Sequence, residues 1–133
     1  MRYPLVRTLL VALALAFGAL AHAQSFWSVT DAMFDDLYAD TFACSELGFD
    51  ERPYAFSRCG FINDNMVDVN KRIVVRHMEG IGLRETSPWS STRDGNTRYH
   101  LIRFEAGSGP LYYSIIYTEI NSNSSFVWVT AVR

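Results

Sequence analysis

A chain of 133 residues with a formal net charge of −2 has room for one modest core and carries no surplus of cations. That balance, without a basic patch, excludes nucleic acid as the natural partner, because phosphate contacts dominate such binding. Two cysteines, Cys44 and Cys59, with no C-x-x-C pair, exclude a zinc framework.

The first 23 residues have the three parts of a secretory signal. Arg2 and Arg7 supply the positive start. Leu9 to Leu20 is apolar apart from Gly18, and Ala21-His22-Ala23 places small residues at positions −3 and −1 of a cut before Gln24. The apolar run is 12 residues long, against the roughly 20 that span a bilayer. It therefore reads as a cleaved signal rather than an anchor, and no cysteine lies near the cut to carry a lipid. Residues 24–133 are then one domain in the periplasm or outside the cell. Cleavage leaves ten basic residues against fourteen acids, a net of −4, with seven acids and no base between Asp31 and Glu51. This acidic stretch reads as a solvated helix face. In an oxidising compartment Cys44 and Cys59 are expected to form a disulfide. Closing a loop of 15 residues contributes roughly 3 kcal/mol on a chain-entropy estimate.

A first helix is expected from Ser28 to Thr41. Ser28 and Asp31 resemble a capping box, and Met33, Phe34, Leu37 and Tyr38 form an apolar stripe. Asp31, Asp35, Asp36 and Asp40 lie towards the other face. The segment Cys44 to Cys59 reads as a loop, punctuated by Gly48, Asp50 and Pro53, whose Leu47, Phe49, Tyr54 and Phe56 pack down on the core. A second helix is expected from Asn63 or Asp64 to Gly80. Met66, Val69, Ile73 and His77 share its stripe, with Val74 beside them, and Asp68 and Arg72 can pair on its surface.

After Gly82 the period becomes two. Strands are expected at Leu83 to Ser91, Thr97 to Ala106, Leu111 to Ile120 and Phe126 to Val132. Asp94-Gly95-Asn96, Gly107-Ser108-Gly109-Pro110 and Asn121 to Ser125 join them into an antiparallel meander. Pro88 makes the first an edge or bulged strand. In the last two strands both faces are largely apolar or aromatic: Tyr113, Ile115 and Tyr117 oppose Tyr112, Ser114, Ile116 and Ile120, and Val127, Val129 and Ala131 oppose Phe126, Trp128, Thr130 and Val132. A sheet with one wet face alternates more cleanly. The second face must therefore meet the disulfide loop, a partner or a ligand.

Catalytic signals are weak. His77 and His100 could share a metal with Glu79 or Glu105, but no H-x-H or H-E-x-x-H spacing is present. No G-x-S-x-G elbow or glycine-rich phosphate cradle exists, and Gly107-Ser108-Gly109 reads as a flexible turn. Asp64, Asp68, Glu85 and Glu105 offer carboxylates for glycoside cleavage, as any acidic domain would. Asn123-Ser124-Ser125 matches a glycosylation sequon. Arg98, His100 and Arg103 with Tyr99 and Tyr112 form a basic-aromatic cluster that could read a carboxylate or a sugar, or serve as cross-strand pairs.

The expected fold is α+β: two N-terminal helices, joined by a disulfide-closed loop, on one face of a four-stranded antiparallel meander. Its element order resembles the cystatin-like and nuclear-transport-factor-2-like architectures, and a resemblance of order alone implies no function. The leading expectation is an exported binding module with no cofactor or metal. Tyr99, Tyr112, Ile116, Phe126 and Trp128 would face a protein partner or a small apolar ligand. The alternatives are a small secreted hydrolase or metal-dependent enzyme using His77 and His100, and a homodimeric envelope protein joined through the same face.

Overall fold

The computed structural model of the chain describes residues 26–106 and 112–132. The expected signal peptide over residues 1–23, the cut before Gln24 and the Gly107 to Pro110 joint lie outside the described residues. A helix α1 through residues 26–36 leads into β1 (Ala39–Phe42), a 3-10 turn (Cys44–Leu47) and β2 (Phe56–Ile62). Helix α2 (Val67–Gly80) follows, then β3 (Leu83–Asp94), β4 (Thr97–Ala106), β5 (Tyr112–Asn121) and β6 (Ser124–Val132). All neighbours pair antiparallel, in the order β1-β2-β6-β5-β4-β3.

The α+β class stands, but the sheet has six strands rather than four, and β1 and β2 separate the two helices. The order that resembles cystatin-like and nuclear-transport-factor-2-like architectures is therefore not the one adopted. The last four strands do form the expected meander. β3 is an edge strand whose register shifts between Glu85 and Ser87 and again between Ser87 and Ser90, around Pro88.

The two unexpected strands have identifiable causes. α1 stops early: Leu37 N–H donates to the Met33 carbonyl (3.0 Å), and Tyr38 then takes a positive φ of 52°. That conformation costs a non-glycine residue roughly 1–2 kcal/mol, and it turns the chain so that Ala39 starts β1. Tyr38 consequently leaves the predicted stripe and stands 85 % exposed, while Met33, Phe34 and Leu37 are buried.

In β2, Phe56, Arg58, Gly60 and Ile62 face the helices, opposite Ala131, Val129, Val127 and Ser125. Two of these four are not apolar, which hides the alternation. Arg58 snorkels out of the core, its guanidinium 4.8 Å from the Trp27 ring centroid and bonded to Thr30 Oγ1 (3.0 Å) and Asp31. Gly60 makes room for a neighbour: a Cβ there would lie 3.1 Å from Ala39 Cβ and 3.6 Å from the Phe34 ring.

Both helices pack on the face that carries Ile102, Phe104, Ile115, Tyr117, Val127 and Val129. α2 does so through Asn70, Val74 and Met78; of the predicted stripe Ile73 packs against the core beside Val74, while Met66 and Val69 are exposed. The expected Asp68–Arg72 pair is replaced by a bond from Arg72 Nε to the Asp68 carbonyl (3.3 Å). The Cys44–Cys59 disulfide forms, with Cα atoms 5.2 Å apart.

Because Phe34 is fully buried over Gly60, Gly60→Val is expected to destabilise the oxidised protein by about 1–3 kcal/mol through overpacking. Urea unfolding against the wild type measures this, with a midpoint shift at constant slope as the expected signature.

Candidate functional site

The pleat assigns each residue of the sheet to a face. On the outer face, away from the helices, one cross-strand row reads Leu101–Ile116–Trp128–Cys59–Phe42 and the next Tyr99–Thr118–Phe126–Phe61. Tyr99, Tyr112, Ile116, Phe126 and Trp128 therefore share one face, with Tyr112 two rows from Ile116. The disulfide loop covers part of it. Phe49 stacks on Trp128 at 4.3 Å between centroids and 11° between planes, and lies 6.3 Å from Phe126. Tyr54 meets the Trp128 ring edge-on at 5.6 Å, and Trp128 Nε1 donates to Ser57 Oγ (2.9 Å). Towards β4 and β5 the described residues give less cover: Tyr99 is 36 % exposed and Tyr112 52 % exposed. In this same face, Thr118 Oγ1 is the one buried side-chain polar atom without a partner among the described residues. Such an orphan costs roughly 1–3 kcal/mol.

The predicted basic-aromatic cluster is divided by the same pleat. Tyr99, Arg103 and Tyr112 lie on the outer face; Arg98 and His100 lie on the helix side.

There His100 bridges three strands. Its Nδ1 lies 2.7 Å from Ser91 Oγ on β3, and its Nε2 lies 2.6 Å from Glu119 Oε2 on β5. Glu119 Oε1 accepts from Asn65 Nδ2 (2.9 Å), just before α2. Burial opposes the Glu119 charge, but hydrogen bonds from His100 and Asn65, with the Arg98 cation nearby, outweigh it and hold the carboxyl below its ordinary 4.5. An ionised Glu119 only accepts, so His100 Nε2 donates to it. In the neutral imidazole, Nδ1 then accepts from Ser91. A hydroxyl, a base and an orienting carboxylate in contact form the arrangement that activates a nucleophile. Ser91 is exposed on the edge strand and His100 is 3 % exposed. Sequence reading misses this chain of contacts because it needs the β3–β4–β5 register.

His77 is occupied elsewhere: its Nε2 lies 2.6 Å from Asp36 Oδ2, which Arg76 also reaches at 2.8 Å. The hydrogen bond from His77 first, and the charges of His77 and Arg76 after it, hold Asp36 below the usual carboxylate range. His77 and His100 thus have no common partner, and among the described residues no three His, Cys, Asp or Glu side chains converge as metal ligands would.

Among the described residues, clefts open on this side of the sheet at two places. One, of about 760 Å³, runs along α2 past Asp68, Arg72 and Glu79, with Lys71 Nζ 5.3 Å from the Trp89 ring centroid. Partial burial draws the Lys71 ammonium below its ordinary range, against the pull of Asp68 and Glu119. The other, of about 310 Å³, lies beside Glu119.

A carboxyl held low by the fold adds stability that is fully present above its unfolded pKa and lost as pH falls through its folded one. Glu119→Gln is expected to cost about 1–3 kcal/mol at neutral pH. It should also lose less than the wild type on acidification below 4.5; urea midpoints across that window measure the difference. Compared with known proteins, the chain matches no family model, no curated protein sequence and no solved structure.

Proposed function

We propose that the protein is exported, is cleaved before Gln24, and works as a binding module that docks a protein partner on its outer sheet face. One observation carries the reading: the Leu101–Ile116–Trp128 row is apolar across three strands, yet the aromatic contacts of the loop reach only its Trp128 end. Leu101 and Ile116 are half-buried and Tyr99 and Tyr112 exposed, so the Leu101 end has the anatomy of an interface, an apolar centre with tyrosines and a polar rim. Ser87, Ser90 and Thr92 bound it on β3, and Arg103, Ser114 and Glu105 bound it on the other side. A carrier of apolar ligands needs an enclosed apolar site, whereas the clefts along α2 and beside Glu119 lie on the helix side with charged linings. The disulfide suits an oxidising compartment, and no helix among the described residues is long and apolar enough to cross a membrane.

The test places a photo-reactive phenylalanine analogue at position 112 of the protein expressed in its own organism, identifies the adduct, and reconstitutes the pair from purified components. A hetero-adduct is expected, with affinity about tenfold or more weaker for the Tyr99→Ser/Ile116→Thr variant. An adduct of two copies would replace the hetero-partner with a homodimer, and the absence of any adduct would sink the reading.

A second reading rests on the 2.7 Å Ser91–His100 contact: a hydrolase in which His100, held by Glu119, takes the Ser91 proton. Covalent labelling by a fluorophosphonate probe measures this. Labelling of the wild type that Ser91→Ala and His100→Asn abolish is expected; an unlabelled wild type rejects it.

A further inference from the structure

Arg93 and Arg98 stand directly opposite each other across the β3–β4 hairpin on the helix side. Like charges so placed destabilise a sheet unless something negative joins them. Among the described residues Arg93 has no carboxylate within salt-bridge distance, and Arg98 reaches only Glu119, at 3.9 Å. Glu119 is already committed, one oxygen to Asn65 and the other to His100. The neighbouring Asp94 pairs with Thr97 one position further along the strand, where the pleat turns it to the outer face. Lys71 lies near enough to sense both Arg98 and Glu119. A concentration of positive charge thus remains in a chain whose net charge is −2.

The space around it is a cleft of about 310 Å³, whose lining adds the amides of Asn65, Asn96 and Asn121. Asn65 stands at the entry of α2, the positive end of a helix of 14 residues. The volume falls at the lower end of the roughly 300–1,000 Å³ of small-molecule sites, enough for a molecule of monosaccharide size.

We propose that this cleft binds a small organic acid, with Arg93 and Arg98 on its carboxylate and Asn65, Asn96 and Asn121 on its hydroxyl or amide groups. Two guanidinium groups against one carboxylate leave room for a single further negative charge. The planar guanidinium fork matches a carboxylate in two parallel bonds. The site is distinct from the outer face, since both arginines project on the helix side of the sheet.

The test is a titration of the oxidised, isotope-labelled protein followed by NMR, with acetate, glucuronate and N-acetylglycine at constant ionic strength. Chloride, inorganic phosphate and glucose serve as controls. Saturable shifts confined to Asn65, Arg93, Asn96, Arg98 and Asn121 are expected with the organic acids, and none with glucose. Arg93→Gln and Arg98→Gln, both at exposed positions, should each weaken binding about tenfold, while Arg72→Gln in the other cleft leaves it unchanged. Three outcomes overturn the proposal: no carboxylate exceeds chloride, phosphate binds more tightly than every carboxylate, or the two glutamine variants bind as the wild type does.

Discussion

The buried hydroxyl of Tyr117 is the point at which helix and sheet are locked in register. Its ring is wholly inside the core, where a phenol needs a partner for its polar tip. Asn70 of α2 donates to it at 3.0 Å, Asn65 Oδ1 lies 3.0 Å away and Ser125 Oγ of β6 2.9 Å away. Ser125 in turn donates to the Asp64 carbonyl (2.8 Å), and Asp64 Oδ1 accepts from Met66 N–H and Asn70 Nδ2. One hydroxyl thus gathers the entry of α2 and two strands. It is also why Asn65 lies over Glu119, so the arrangement around His100 inherits its geometry from the core beneath it. Burial, opposed by the Ser125 and Asn70 hydrogen bonds, pushes the Tyr117 phenol above its ordinary range and keeps it protonated.

The two faces of the sheet divide the chemistry. The helix side is closed by packing at its centre and polar at the end where α2 begins, with Ser91, His100 and Glu119 joined across three strands. Among the described residues the outer side has no helix, and its apolar rows are capped at one end by a loop that hangs from the disulfide. Cys59 is in the middle of β2, opposite Trp128, so the covalent link delivers the loop to the ring that Phe49 and Tyr54 cover.

The meander was legible because period two with turn residues between runs is a strong local signal, and counting alone sets Tyr112 with Ile116 and Phe126 with Trp128 on one face of their own strands, while joining those faces needs the register. The pattern failed where a polar or absent side chain occupies a core position. Arg58 and Gly60 conceal β2, and Tyr38 ends α1 without the glycine that usually marks such a turn. α2 was legible as a helix but not as to its buried side. A polar Asn70 anchors the inward face for the sake of Tyr117, while apolar Met66 and Val69 stay in solvent. The His100 contacts and the Arg93–Arg98 opposition depend on which strands neighbour one another, and no local pattern states that. Merging Arg98 with Arg103 overlooked the odd–even alternation that sets them on opposite faces.

Among the described residues the sheet ends in two unpaired borders, and each is blunted in its own way. β1 offers only four residues to a newcomer, and β3 is long but interrupted by Pro88 and two register shifts. Such borders resist the addition of foreign strands. Copies of this chain crowded together are therefore discouraged from growing into continuous ribbons, even though Tyr99 and Tyr112 stand in solvent on the outer face.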